Sequence, residues 1–126
     1  MTQLTTTIED TVDSHLAAYG EPNAELRAKT VKDIWAANGR LVDPPIQGEG
    51  HDGITALGDI VQAHYAGHTF RRTSAVDSHN GFARYEWELV APDGNVAITG
   101  TDIAEVDGEG RLVRVVGFFG PVPALS

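Results

Sequence analysis

Asp43 and Asp102 are the side chains whose settings point most directly to chemistry. Asp43 follows Arg40-Leu41-Val42 and precedes Pro44-Pro45. Prolines carry no N–H, so the local donors that usually satisfy an aspartate in a turn are missing. A carboxylate short of donors, or partly desolvated, is more basic, which suits a general base. The alternative is an ordinary turn-forming aspartate at a strand end. Asp102 lies within the strand pattern Val96 to Val106, on one face with Val96, Ile98, Gly100, Ala104 and Val106. Apolar neighbours disfavour its anion and raise its pKa, and a protonated carboxyl can donate to a developing oxyanion. The competing assignment is an ion pair across strands, with Arg84 as partner.

His15 and His64 both fall on apolar helical stripes, as satisfied core histidines or as acids and donors in a pocket. His51, His68 and His79 fall in loops or near turns and read as solvated. Tyr19, Trp35, Tyr65, Phe118 and Phe119 supply core or pocket wall, and the polar tips of Tyr and Trp would orient a ligand. Tyr19, Trp35, His64 and Phe118 are the candidate substrate contacts. No metal site is expected: His64 and His68 are four apart, but Gly67 ends the helix between them, and HExxH is absent. Gly48-Glu49-Gly50 and Gly108-Glu109-Gly110 lack the lysine and strand-to-helix setting of a phosphate loop. A GxSxG nucleophile elbow is absent as well. No cofactor is expected.

The elements that must position these groups follow from periodicity. Ile8, Val12, His15, Leu16 and Tyr19 make one helical face, ended by Gly20 and Pro22. Asn23 can cap a second helix to about Ala37, carrying Leu26, Val31, Ile34 and Trp35, with Asn38-Gly39 as its stop. Arg40 to Asp43 reads as a short strand and Ile46 to His51 as a loop. Asp52 is a candidate cap for a third helix to about Ala66. Phe70 to Ser78, Phe82 to Val90, Val96 to Val106 and Arg111 to Gly120 read as strands. Asn80-Gly81, Pro92-Asp93-Gly94-Asn95 and Asp107-Gly108-Glu109-Gly110 supply the turns. Residues from Pro121 read as a tail. Helices followed by an antiparallel meander make an α+β domain.

Its 126 residues suit a single domain, 1–126, that can bury a core without staples. There is no cysteine, which excludes disulfides and thiolate chemistry and fits a reducing cytoplasm. The first residues show no basic or apolar leader, and no run approaches membrane-spanning length, so a cytoplasmic protein without a membrane partner is expected. A formal net charge of -9 repels phosphate backbones and makes nucleic acid a poor partner.

The run Ile34-Trp35-Ala36-Ala37-Asn38-Gly39-Arg40-Leu41-Val42-Asp43-Pro44 resembles the second helix and first strand of the NTF2-like superfamily. Within it, the nearest likeness is to ketosteroid isomerase and the SnoaL-like polyketide cyclases. Thr101-Asp102-Ile103, Asp107 to Val113 and Gly117-Phe118-Phe119-Gly120 resemble the closing hairpin of that group. The resemblance implies an α+β fold, NTF2-like or cystatin-like: a curved, mixed β-sheet in a cone packed on three N-terminal helices, often as a homodimer. It also implies that Asp43 stands where ketosteroid isomerase keeps its proton-abstracting base, and Asp102 where that family keeps a protonated oxyanion-hole aspartate. His15 aligns with the family's oxyanion-hole tyrosine, and Tyr19 lies one turn further on. The expected function is a cofactor-free isomerase or cyclase. Asp43 would take a proton next to a carbonyl, and Asp102 with His15 would stabilise the enolate of a small apolar substrate. Two readings compete: an epoxide hydrolase with Arg84 bridging the carboxylates, and a non-catalytic binding or dimerisation module.

Overall fold

The computed structural model describes residues 7–126, so the reading of the first six residues lies outside it. Helix α1 spans Ile8–Tyr19, as the stripe predicts. Thr7 caps it in a reciprocal box with Asp10, which satisfies two orphan N–H groups at once. Helix α2 spans Ala24–Ile34, and the Asn23 side chain accepts from the N–H groups of Glu25 and Leu26. It stops three residues short of the expected end, because Trp35 already has extended backbone angles. Leu26 is exposed, and Arg27 takes the inward position with Val31. Asn38-Gly39 therefore lies within strand β1, Trp35–Val42, and not at a helix stop. Glycine is needed at position 39 because a Cβ there would run into the Trp35 indole.

Strand β2, Gln47–Glu49, occupies part of the expected loop. Helix α3, Gly50–His64, begins two residues before Asp52, with Glu49 at its cap position and no side-chain cap bond. The expected strand Phe70 to Ser78 is two pieces, β3 Thr69–Arg72 and β4 Asp77–His79. Strands β5 Phe82–Val90, β6 Val96–Val106 and β7 Leu112–Phe119 complete the sheet.

The seven strands form one curved mixed sheet in the order β2-β1-β7-β6-β5-β3, with β4 also paired to β5. All pairs are antiparallel except β1 with β7. Strand β1 is thus one place in from the edge, which β2 forms. Helix α3 packs on β1 and β2, α1 on β3, and α2 against α1 and α3. Between helices and sheet lies the core of Val12, Leu16, Val31, Trp35, Leu41, Ile54, Leu57, Tyr85, Trp87, Leu89, Leu112 and Val115.

Two register shifts set which side chains meet. The β5–β6 ladder starts at Val90↔Val96 and shifts by one residue before Leu89↔Ile98. Without that bulge, counting back from the turn would put Arg84 opposite Asp102. With it, Tyr85 faces Asp102, and Arg84 faces Ile103 on the other side of the sheet. A second shift, between Glu105 and Val106, brings Asp102 opposite Gly117 of β7.

Arg27 fastens the helical layer. It is buried and donates to the Thr55 and Glu21 carbonyls and to the Asp59 carboxylate. Its stem lies where a Cβ on Gly58 would sit. Glycine to alanine inside a helix ordinarily stabilises by up to ~1 kcal/mol. Here the sign should reverse: Gly58→Ala should cost about 1–3 kcal/mol through overpacking, read as a lowered urea midpoint at unchanged slope.

Candidate active site

Three adjacent strands, β1, β7 and β6, converge on Gly117. The pairing Val42↔Val116 puts Asp43, the next residue, beside Gly117, and Asp102 pairs with Gly117 from the other flank. Neighbouring strands lie ~4.8 Å apart, so an ordinary side chain between the two aspartates would separate them. A Cβ on Gly117 would collide with Asp43 Oδ1 and lie 2.9 Å from Asp102 Oδ1. The missing side chain is the space the two carboxyl groups share.

The local sequence at Asp43 works as its prolines suggest. Its backbone N–H donates to the Ile46 carbonyl at 2.8 Å, closing a turn through Pro44-Pro45. The carboxyl turns inward, 8% exposed, and accepts from the Tyr19 hydroxyl at 3.0 Å on Oδ2. Burial raises its pKa above the ordinary carboxylate range, and the Tyr19 hydrogen bond offsets part of that.

Asp102 is 4% exposed and more tightly held. The Tyr85 hydroxyl donates to Oδ2 and the Trp87 indole N–H to Oδ1, both at 2.9 Å. Trp87 reaches it by lying over Gly100, where a Cβ would strike the indole. Burial pushes the Asp102 pKa up to about 7, with the Asp43 charge adding to the rise and the two donors opposing it. The Asp102–Arg84 ion pair does not form: Arg84 pairs with Asp77 on the exposed outer face, 2.8 Å away. The epoxide hydrolase reading thereby loses its bridging cation.

His15 is buried between Tyr19, which it stacks on, and Trp35, whose edge it meets. Burial lowers its pKa to about 4, so it is neutral at physiological pH. His15, Tyr19, Asp43, Asp102, Leu41, Phe70 and Trp87 enclose a small void of about 10 Å³. In front of it is a cavity of about 300 Å³, walled by Tyr19, Asp43, Ile46, Ile60, Tyr65, Phe70, Trp87, Ile98 and Phe119, with His64 among its lining residues. No lysine or arginine lines it among the described residues.

Tyr19, Asp43 and His64 therefore meet at the cavity, while Asp102 and His15 sit behind its wall. Two expected contacts lie elsewhere. Trp35 is buried in the core against His15, away from the cavity. Phe118 is 60% exposed on the opposite face of β7, and alternation gives its place to Phe119. Tyr85 and Trp87, as donors to Asp102, escaped the sequence reading. Their shared face was visible, but the bulge that sets them against Asp102 was not. Among the described residues no group of three His, Asp or Glu side chains is placed to hold a metal ion, and no helix is long and apolar enough to cross a membrane.

Asp102 gives the site a defined pH signature. Its folded pKa exceeds its unfolded value, so between about pH 4 and 7 the folded state binds more protons and Asp102 makes stability fall as pH rises. His15 works in the opposite direction, from its unfolded 6.5 down to about 4. Asp102→Asn removes only the first slope. Its stability relative to the unaltered protein should therefore climb steadily from pH 4 to 7 in parallel urea titrations. A constant difference would mean that Asp102 titrates as an ordinary carboxylate.

Comparison with known proteins follows the same lines. No protein-family model matches the chain, and a search of curated proteins gives no match. Solved structures do match. A SnoaL-like family protein from Agrobacterium tumefaciens strain C58, described as a candidate isomerase, is 38% identical with a TM-score of 0.84, over 88% of this chain and 95% of its own. A protein of ketosteroid isomerase-like fold from Catenulispora acidiphila, solved with trimethylamine, is 16% identical with a TM-score of 0.71, over 93% and 88%. A candidate polyketide cyclase from Sinorhizobium meliloti is 13% identical with a TM-score of 0.67, over 86% and 93%. The last two share the fold alone.

Proposed function

The chain belongs to the SnoaL-like family, with an NTF2-like fold, and we propose that it is a cofactor-free isomerase or cyclase working next to a carbonyl. One observation carries the reading: a carboxylate whose basicity is raised by burial opens into an apolar cavity with a phenol 3.0 Å away.

Asp43 takes the proton from the carbon adjacent to the carbonyl, and the C–H electron pair moves into the enolate. The carbonyl is itself the electron sink, so the chemistry calls for no cofactor. Tyr19 has its pKa raised well beyond the ordinary phenol value by burial and by Asp43, so it stays a donor at all working pH values. Once Asp43 carries the proton it no longer needs the Tyr19 hydrogen bond, and that hydroxyl is free to turn to the enolate oxygen. Asp102 and His15, which the sequence suggested for this task, lie behind the wall. Return of the proton to another carbon gives an isomer. Attack of the enolate carbon on a second carbonyl gives a ring.

The cavity is at the small end of the range for ligand sites, and its rings and aliphatic groups favour an apolar body. With Asp43 in its wall and no lysine or arginine among its described lining residues, the substrate is neutral.

The test is deuterium exchange at the α-carbon, followed by NMR in D2O over a panel of small cyclic ketones and polyketide-like diketones. Exchange or conversion should be catalysed on at least one. Asp43→Asn should lower the rate by about 10²–10⁴-fold, and Tyr19→Phe by about 10²–10³-fold, the usual loss for one oxyanion donor. Ligand binding without exchange across the panel would instead favour a non-catalytic binding pocket, and full activity in Asp43→Asn would rule out Asp43 as the base.

A further inference from the structure

Asp102 accepts two side-chain hydrogen bonds where Asp43 accepts one, yet it does not line the cavity. Both its oxygens already accept a hydrogen bond, from Tyr85 on Oδ2 and from Trp87 on Oδ1. It is therefore not free to donate to a ligand on the far side of Trp87. What remains open is the side toward Gly117, where Asp43 Oδ1 lies against the same missing Cβ.

We propose that Tyr85 and Trp87 are positioning residues that hold Asp102 beside Asp43, so that the two carboxyl groups act as one coupled pair across Gly117, with the proton of the pair on Asp102. The inference rests on Asp43 as the base only for its catalytic consequence; the coupling itself can be measured without substrate.

Three features support it. The groups that face the pair from every packed element are Tyr85 and Trp87 from β5, and His15 and Tyr19 from α1. None is a cation: His15 is neutral and the other three are neutral donors. Two like charges in such a site do not both ionise freely, so one carboxyl holds a proton over the working range. The donors are also unequally shared. Asp43 accepts one side-chain hydrogen bond and Asp102 two, which favours the Asp102 anion, but the deeper burial of Asp102 outweighs its donors and leaves the proton there. Finally, the Trp87 indole belongs to both spaces, as a wall of the cavity and as a donor to Asp102. The pair is thereby tied to the surface that a ligand would touch.

The division of labour follows. Asp43 faces the substrate as the anion, and Asp102 keeps the proton. When Asp43 takes a proton from carbon, its charge disappears, and the electrostatic penalty on an Asp102 anion disappears with it. Asp102 keeps its own proton through this step, and Asp43 gives up the one it took when the product forms.

The experiment is a site-resolved titration of 13C-labelled aspartate carboxyls by NMR on the intact protein. The pair should titrate in two steps, the upper one near pH 7 and assigned to Asp102. Tyr85→Phe removes a donor that favours the anion and should move the upper step to higher pH. Trp87→Phe should do the same. Asp43→Asn removes the neighbouring charge and should move it to lower pH. Trp87→Phe could weaken the core, but Tyr85→Phe and Asp43→Asn each give the result without it. An upper step unmoved in Asp43→Asn would overturn the coupling. One unmoved or lowered in Tyr85→Phe would overturn the positioning role. With any substrate found above, Tyr85→Phe should shift the alkaline limb of the kcat/KM profile upward at unchanged KM. A purely structural tyrosine would lower activity equally at every pH. If Asp43 proved not to be a catalytic base, the NMR shifts would still stand and only this kinetic limb would be lost.

Discussion

Two carboxyl groups share the room left by one absent side chain, and the fold is arranged around that room. Gly117 is central in the sheet, between β1 and β6, where a strand glycine ordinarily weakens packing. Here it lets Asp43 and Asp102 converge from strands on either side. Each partner of the pair depends on a further local device. Asp43 turns inward because Pro44 and Pro45 give it no backbone donor outside. Asp102 faces inward by strand alternation, and two bulges set which residues flank it. Gly100 repeats the device one step along β6, clearing the ground on which Trp87 lies.

Much of this was legible in the sequence, and the parts that were not have a common cause. Helix α1 and the cap at Asn23 follow from local rules, and both appear where those rules put them. The inward faces of β5 and β6 follow from alternation, which gives Tyr85, Trp87 and Leu89 on one strand and Asp102 on the other. Alternation does not say which residue faces which. A one-residue bulge next to a turn leaves both strand patterns intact and moves every pair by one. The Arg84–Asp102 pairing and the Tyr85–Asp102 pairing are the two outcomes of that ambiguity. A second kind of error came from glycine. Asn38-Gly39 carries a helix-stop signal, but Gly39 makes room for the Trp35 indole inside a strand. The same residue type answers to conformation in one place and to a close approach in another, and only tertiary contact separates them.

The distribution of polar groups divides the site into two layers. The front layer is the cavity, where Asp43, Tyr19, His64 and Tyr65 bring polar groups among rings and aliphatic side chains. The back layer is Asp102 with its two donors and the neutral His15. Tyr19, Asp43, Phe70 and Trp87 belong to both layers. Tyr19 stacks on His15 behind and on Phe70 in front, with ring centroids 5.7 and 5.1 Å apart. Phe70 and Phe119 then meet Trp87 edge-on. The wall between the layers is a connected set of aromatic contacts.

That arrangement is hard to account for as architecture alone. An unpaired carboxylate taken out of water is costly, and a second beside it without a cation is more so. Apolar residues of similar shape at 43 and 102 would remove both penalties and leave the sheet order unchanged. The protein instead surrounds them with phenol and indole donors and clears their neighbours to glycine, measures that reduce the cost without abolishing it. A core that only needed filling would have no use for such an assembly. A cavity that must hold a strong base in contact with a neutral ligand needs the burial that raises the pKa of Asp43, and it needs somewhere to keep the second charge in check.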